Sequence, residues 1–580
     1  MAQSSFPYQP LEENDSIRLL YLQPSEKHDA DLHGSLVHTT IHERSYDLHT
    51  PFTALSYVWG DPTITSFIYI DDHHVTITAS LAAALRDIRD SSLVFRIWAD
   101  ALCIDQNNIP ERNQQVKQMG SIYQAAGHTI IHLGLLTSEA ELVLLKARSR
   151  HVLKGETEEI IQLTKQAEVG ILLRPWFTRA WILQELVLSR DPWVQCGKLR
   201  VRWTDLCALL LGQQEGLESA GMALKVLKDM DSARSRGAEN SLYDILRARR
   251  GFGASDKRDI VYALLGLIKQ DKAFSPELVD YSMSLSRVYT IVAELILRSP
   301  LQQEWTETVL SHADDGRELQ DRPDGLPSWA PDWSVLPSYK AQFPKQMIPE
   351  EYTSCWAGIP FHCIDNPPTL LTLGSHFDTI EVVSPAFQWT PAIIQQLERT
   401  VKTFELRDLE LEVRKLFEEL KGLDKAGVQH SSFELFLSRF MSPFLRMYDV
   451  LEFLKHVGTA MEGRRLALTE KGCIVVVPSC TRPGDECVYF AGFRPFIVRN
   501  TPKQQPQHSN GLIQSAWLFL ILNMGIQPDG IWDAKTPAIE YRRLIGACYN
   551  FQDFFSDPQK IGFLRHFAIN LTLLLPFGIY

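Results

Sequence analysis

Along the first half of the chain, apolar and polar residues alternate and break in a way that predicts strands interleaved with helices. From Ser16 to Leu22, Ile17, Leu19 and Tyr21 alternate with residues of a second face, predicting a strand, and another is predicted around Leu36 to Ile41. Phe52 to Val58 forms a short apolar strand that stops at Gly60-Asp61-Pro62, a strong turn signal. Phe67 to Thr78 reads as a hairpin around Asp71-Asp72. Ser80 reads as the cap of a helix with Leu81, Leu85 and Ile88 on one face. Val94 to Ala99 starts as a buried strand and runs into the acidic, amide-rich Asp105-Gln106-Asn107. Pro110 then opens a helix with Glu111 in its first turn and Val116, Met119, Tyr123 and Ala126 as its inner stripe, stopped by Gly127. Thr129 to Leu133 is a further strand. This order predicts a parallel α/β sheet with helices on its faces.

After a polar-faced helical excursion from Ser138 to Gln166, the stretch from Arg174 to Ser189 stands out. Pro175 restrains its entry, and the absence of interior Gly or Pro predicts a helix from about Thr178. Ala180, Trp181, Ile182, Leu183, Leu186, Val187 and Leu188 cover nearly every direction of the helical wheel, the mark of a helix buried on several sides. Glu185 falls among them, between Trp181 and Ile182. A carboxylate there is paired with a neighbouring Arg, protonated, or turned into a cleft, because burying a lone charge is too costly.

Farther on, helices are predicted at Leu206–Leu211, Ala223–Met230, Leu242–Arg249, Ile260–Leu267 and Leu285–Leu297. A Pro-rich span at 323–337 reads as a connector pinned by Trp329 and Trp333. Residues 391–456 read as charged helices, with the run at 409–420 partly solvent-facing. Residues 464–499 alternate as strands, with Cys473–Val477 and Cys487–Ala491 separated by Pro483-Gly484-Asp485. The expected division is N-terminal strands and loop at 1–48, an α/β domain at 49–192, a helical domain at 193–300 and a connector at 301–345. A helical domain with a small β unit follows at 346–500, and the tail at 501–580 carries an apolar stretch from Leu512 to Ile526.

Composition narrows the class. With 580 residues the chain exceeds one hydrophobic core, and 45% hydrophobic with 22% charged residues is ordinary for a globular protein. A net charge of −12 argues against nucleic-acid binding as the main task. The nine cysteines are scattered singly with no CxxC, which signals neither a zinc module nor a disulfide framework and fits a reducing, cytoplasmic setting. The polar N-terminus has no signal-peptide core, and no apolar run reaches the ~20 residues of a spanning helix.

In an open parallel sheet, ligands sit at the carboxyl ends of the strands. That rule puts Ser56, Tyr57, Trp59, Gly60 and Asp61 on the same rim as Asp100, Asp105 and Gln106. Two aromatic rings, a glycine and several carboxylates suit a nucleotide or a sugar. The plainer alternative is that Tyr57, Trp59 and Trp98 are core aromatics and that Asp100 and Asp105 cap the following loop. Neither GxxxxGK[ST] nor a complete GxGxxG occurs, so phosphate cradling of those types is not supported.

Three strings together resemble one family. Ala54-Leu55-Ser56-Tyr57-Val58-Trp59-Gly60 resembles the first signature of the fungal heterokaryon-incompatibility (HET) domain. Trp98-Ala99-Asp100-Ala101-Leu102-Cys103-Ile104-Asp105-Gln106, continuing through Glu111-Arg112, Gln115-Val116, Met119 and Ile122-Tyr123, resembles the second. Arg174-Pro175-Trp176-Phe177-Thr178-Arg179-Ala180-Trp181 with Gln184-Glu185 resembles the third. Ala99 departs conservatively from the family's usual Ile. Ala254 to Leu267, Leu326 to Ser334 and the Gly463 to Pro495 region are similar to segments that often follow HET domains, and Tyr541 to Tyr549 to the strand that usually closes them, whereas Phe551 to Tyr580 departs from the family's tail. The resemblance implies a role in non-self recognition and cell-death signalling, with self-association or an unknown protein partner.

HET domains are also held to be distant relatives of Toll/interleukin-receptor (TIR) domains, which implies a TIR-like sheet. Some TIR domains cleave NAD⁺ with a Glu four residues after a Trp, the spacing of Trp181 and Glu185. The resemblance therefore implies Glu185 as catalytic and Ser56, Tyr57, Trp59, Gly60, Asp100 and Trp181 as substrate-binding, with NAD⁺ as substrate and neither cofactor nor metal. Nicotinamide is already a cationic leaving group, so one carboxylate near the ribose suffices to stabilise an oxocarbenium-like state. The competing class is a non-catalytic HET module in which Glu185 is structural.

Overall fold

The computed structural model describes residues 6–46, 51–149, 158–212, 221–236, 242–268, 276–298, 309, 313 and 321–336. Farther on it describes residues 362–364, 368–383, 464–470, 474–490, 495–498, 513–515 and 575–579. The charged helices expected at 391–456, most of the apolar stretch at 512–526 and the strand at 541–549 lie outside the described residues. The chain forms two compact units, Met1–Ser284 and Leu285–Tyr580.

The first unit is built on nine strands: β1 Ser16–Leu22, β2 His33–Thr40, β3 Thr53–Tyr57, β4 Thr65–Ile70, β5 His73–Thr78, β6 Phe95–Trp98, β7 His128–His132, β8 Pro192–Cys196 and β9 Leu199–Arg202. They lie in the order β5-β4-β2-β1-β6-β3-β7-β8-β9. The centre, β6-β3-β7-β8, is parallel, with Thr53 opposite Ile97 on one side and Tyr57 opposite His132 on the other. The flanks are mostly antiparallel, because β4–β5 and β8–β9 are hairpins and β1 runs against both β2 and β6, but β2 and β4 pair in parallel. The sheet is thus mixed, with the expected parallel register found in its middle and again between β2 and β4. Asp71 and Asp72 form the β4–β5 turn with φ of 45° and 68°, a left-handed turn that short polar side chains tolerate.

Thirteen helices accompany these strands among the described residues: α1 Ile41–Tyr46, α2 Ala79–Ile88, α3 Asp100–Cys103, α4 Ile109–Lys117, α5 Met119–Ala125, α6 Ser138–Ser149, α7 Glu158–Leu172, α8 Ile182–Val187, α9 Trp203–Gly212, α10 Gly221–Arg236, α11 Leu242–Arg249, α12 Asp259–Leu265 and, opening the second unit, α13 Leu285–Arg298. Leu81, Leu85 and Ile88 of α2 pack with Leu55, Tyr57, Ile97 and Ile130 on one face of the sheet. The N-cap of α2 is Thr78, whose Oγ1 accepts from Leu81 N at 3.3 Å; Ser80 instead donates to Val58 O at 2.5 Å and ties the helix to the end of β3. The helix expected from Pro110 to Gly127 breaks at Gln118 into α4 and α5. Asn108 caps α4, accepting from Glu111 N at 3.2 Å.

The helix expected from Thr178 also differs. Pro175–Thr178 is a 3₁₀ turn, Arg179 and Ala180 leave helical geometry, and α8 begins only at Ile182. The reason is a competing partner: Ala180 N donates to Gly253 O at 2.9 Å and Gly253 N to Thr178 O at 2.7 Å. α8 then lies among α5, α10 and α12. Its last carbonyls are taken by Arg234 of α10, which donates to Leu186 O at 2.7 Å and Ser189 O at 2.6 Å.

In the second unit, Trp329 and Trp333 are fully buried, and Arg322 donates to the carbonyls of Ser328 at 3.2 Å and Ala330 at 2.5 Å, so the described part of the expected connector is packed from 326 to 333. An antiparallel sheet follows, with β10 His362–Ile364, β11 Thr369–Val383, β12 Arg464–Thr469, β13 Ile474–Pro478, β14 Glu486–Phe490, β15 Pro495–Val498, β16 Ile513–Ser515 and β17 Leu575–Ile579. The long β11 is its spine, pairing with β10, β12, β14 and β17. Among the described residues no helix is long and apolar enough to cross a membrane.

Candidate functional site

Two carboxylate clusters gather around Arg179 near the carboxyl ends of β3 and β6. Alternation along β3 sends Tyr57 to the α2 face and Ser56 to the α8 face. Ser56 donates its hydroxyl hydrogen to Glu185 Oε2, and the Trp176 indole N–H donates to the same hydroxyl oxygen at 2.7 Å. Trp176 therefore occupies the lone-pair side of Ser56 and leaves its hydrogen for the carboxylate. The Arg179 guanidinium stands 3.5 Å from the same Glu185 oxygen. The Glu185 side chain is 2% exposed and Trp176 is fully buried. Burial raises the Glu185 pKa above the usual carboxylate range, against the pull of Arg179 and the Ser56 hydrogen bond. Burial also acts to lower the Arg179 pKa, but Glu185 and Asp100 overcome it and hold the guanidinium charged.

Asp100 heads the second cluster at the end of β6. Its Oδ2 accepts from the Trp59 indole at 2.8 Å, its Oδ1 from Ala101 N at 2.8 Å, and its backbone carbonyl from the Gln106 amide at 2.9 Å. Trp59 and Asp100 are each half-buried, so this pair forms the open lip above the closed Glu185 cluster. Burial raises the Asp100 pKa, with Arg179 and the Trp59 hydrogen bond opposing. The Tyr57 ring is buried in the α2 core, and burial pushes its hydroxyl pKa up.

The remaining candidates separate. Gly60 lies in the turn after β3 at φ 76°, where a Cβ would meet Ser80 Cβ at 3.1 Å; its role there is to let the chain pass the start of α2. Asp105 caps its own loop, accepting from Asn107 N at 3.1 Å, and Glu111 turns away to the buried Arg18, at 2.5 and 2.9 Å. Trp98 is fully buried core. Trp181, half-buried, stands at the N-cap of α8, and Asp259 of α12 receives the Tyr281 hydroxyl at 2.5 Å; burial raises the Asp259 pKa to about 6 against the pull of that hydrogen bond.

Gln184 joins the closed cluster to its supports. With the amide oriented to satisfy both neighbours, its nitrogen donates to Ala263 O and its oxygen accepts from Gly120 N, each at 2.8 Å. The room comes from two glycines: a Cβ on Gly266 would lie 2.6 Å, and one on Gly120 3.0 Å, from the end of the Gln184 amide. Sequence reasoning did not find Trp176, Gln184 or Asp259 as parts of this arrangement. Sequence reasoning offered Arg179 or Arg112 as the partner that would seal Glu185, and Arg179 takes that place. Among the described residues no group of three or more His, Cys, Asp or Glu side chains is placed to hold a metal ion.

The family model described as heterokaryon incompatibility protein (HET) matches residues 52–185, from the entry of β3 to Glu185 itself. Over an alignment of 629 residues, covering 84% of this chain and 91% of the relative, the chain is 22% identical to a *Neurospora crassa* protein named heterokaryon incompatibility protein 6, OR allele. No solved structure matches the chain. The three signatures, the α/β sheet that gathers them and the family match agree: residues 52–185 of this chain match the HET domain.

Proposed function

We propose that this protein acts in fungal non-self recognition of the heterokaryon-incompatibility type, and that its HET domain, in the state described here, is a closed signalling module. The observation that carries the second half is the enclosure of Glu185: one oxygen shared by Ser56 and Arg179, a side chain 2% exposed, and the Trp176 indole holding Ser56 in place. With that oxygen occupied and the side chain buried, the carboxylate is shielded from a ribose in this state. The first half draws on the *Neurospora crassa* relative named for heterokaryon incompatibility, which aligns with most of the chain. Signalling then proceeds in the cytoplasm by self-association or by recruiting a protein partner, and leads to death of the fused cell.

The test is incubation of the purified full-length chain with NAD⁺ across a range of protein concentrations. The closed module releases no nicotinamide above the buffer rate, and in cells Glu185→Gln, which keeps an acceptor for Ser56, leaves the incompatibility reaction intact. Nicotinamide release by the wild type that Glu185→Gln abolishes without unfolding replaces this reading with the enzymatic one.

The half-buried Trp59–Asp100 lip beside Arg179 favours that second reading. In it the domain resembles TIR domains. Arg179 swings off Glu185, Trp59 stacks on a base, Asp100 holds ribose hydroxyls, and Glu185 stabilises the positive charge as the nicotinamide bond breaks.

A further inference from the structure

The sheet of the first unit ends in two strands that are built differently. β9 is guarded: Lys198, Arg200 and Arg202 are exposed on and beside it, and such a row of fixed charges keeps a foreign strand away. β5, His73-His74-Val75-Thr76-Ile77-Thr78, has no such device. It holds no Lys, Arg, Asp, Glu or Pro, and its pairing with β4 runs without a bulge from Thr65–Thr78 to Ile70–His73. Among the described residues no strand pairs with its outer side.

Register fixes which backbone groups are free. Ala79 N donates to Ile64 O at 2.9 Å, and bonded pairs in an antiparallel ladder recur at every second residue. His73, Val75 and Ile77 therefore spend their backbone groups on β4. Those of His74 and Thr76, and the Thr78 N–H, turn outward. The ribbon behind them is stiff. Val75, Ile77, Ile68 and Ile70 pack with α2, so alternation puts Phe67, Tyr69 and His74 on the other face. There the ring centroids of Phe67 and His74 lie 4.6 Å apart, those of Tyr69 and His74 5.6 Å, and His33 stacks on Tyr69 at 4.8 Å.

We propose that β5 is the docking edge for a second copy of this chain, the two strands pairing antiparallel about Thr76 so that one sheet runs through both copies. In that register Thr76 exchanges both backbone bonds with its twin, and the Thr78 N–H reaches the His74 carbonyl on either side. The same register brings Asp71-Asp72 of each copy beside Ser80 and Leu81, in the first turn of α2 of the other. That turn has no acidic residue of its own, so its positive end gains two carboxylates only in the pair. This self-complementarity selects a second copy over an unrelated extended segment. A pairing of six residues is small beside the ~1,600 Å² of a standard interface, so the dimer is reversible and depends on concentration. The proposal rests on the self-association branch of the closed-module reading, to which it gives a partner and a surface.

Sedimentation of the full 580-residue chain over roughly 1–200 µM should show a monomer passing into a dimer. Thr76→Lys places a charge on an exposed position at the two-fold, and Thr76→Pro removes an N–H that the monomer does not use. Each should weaken the dimer at least about tenfold and leave the circular dichroism of the monomer unchanged. Asn at both Asp71 and Asp72 tolerates the same left-handed turn and should weaken it about fivefold. Thr76→Cys should cross-link to its twin through a short bismaleimide, and Arg200→Cys on the guarded edge should not. A chain that stays monomeric over that range, whatever other strand its edge accepts, overturns the proposal. So does a dimer indifferent to Thr76→Lys, or one cross-linked through position 200 and not 76. If Thr76→Pro fails to fold, Thr76→Lys and the cross-link decide. A monomer leaves the closed module to act through a recruited partner, whereas nicotinamide release in the separate assay unseats the closed module and leaves the dimer standing.

Discussion

Glu185 of α8 and Asp100 after β6 are both carboxylates beside Arg179, and both are raised in pKa by burial, yet they live in different surroundings. Asp100 sits on a half-open lip with an indole and two amide groups. Glu185 lies one layer in, with a guanidinium, a hydroxyl and a second indole closed around it. The difference follows from strand alternation: Ser56 and Tyr57 are neighbours in sequence but face opposite sides of the sheet, and it is Ser56 that meets Glu185. Chemistry-bearing residues grouped by motif are therefore not one site until their faces are known.

The sharpest test of the contrast is Arg179→Met, which leaves Glu185 buried without its cation. It should lower the stability of the first unit by about 3 kcal/mol, read by urea unfolding, and adding Glu185→Gln should restore most of the loss. Equal stability of the single and double variants would mean that the pair contributes nothing. Next in size, Gly266→Ala should destabilise by about 2 kcal/mol, because the new methyl must displace the buried Gln184 amide. Trp176→Phe deletes one hydrogen bond in a space of similar shape and should cost about 1 kcal/mol, with a readout in the exchange of residues 182–187. Asp100→Asn keeps one acceptor oxygen, for Trp59, and loses the one that Ala101 N uses on the half-exposed lip, so its effect should stay below about 1 kcal/mol. A loss as large as that of Arg179→Met would erase the distinction between the two carboxylates.

Much of the architecture was readable because its causes are local. The β4–β5 hairpin follows from Asp71-Asp72, β1 from the alternation of Ile17, Leu19 and Tyr21, and α12 from its apolar run. The failures share one cause, a partner distant in sequence. Thr178–Ala180 carries no helix breaker, and only the Gly253 backbone explains why the helix waits until Ile182. The wheel placed an acid among apolar residues at Glu185 but could not choose among pairing, protonation and a cleft. In the fold Arg179 takes the acid, whereas Arg112, equally near in the motifs, stacks on Tyr281.

The backbone pairing at Gly253 has a consequence for how such a domain is inherited. A recombination breakpoint placed where the recognisable motif ends would cut the signature from the neighbour that straightens Arg179, leaving frayed amides and a misdirected guanidinium. What shuffles intact between genes has to reach at least to Tyr281, so the evolutionary cassette is longer than the string by which it is found.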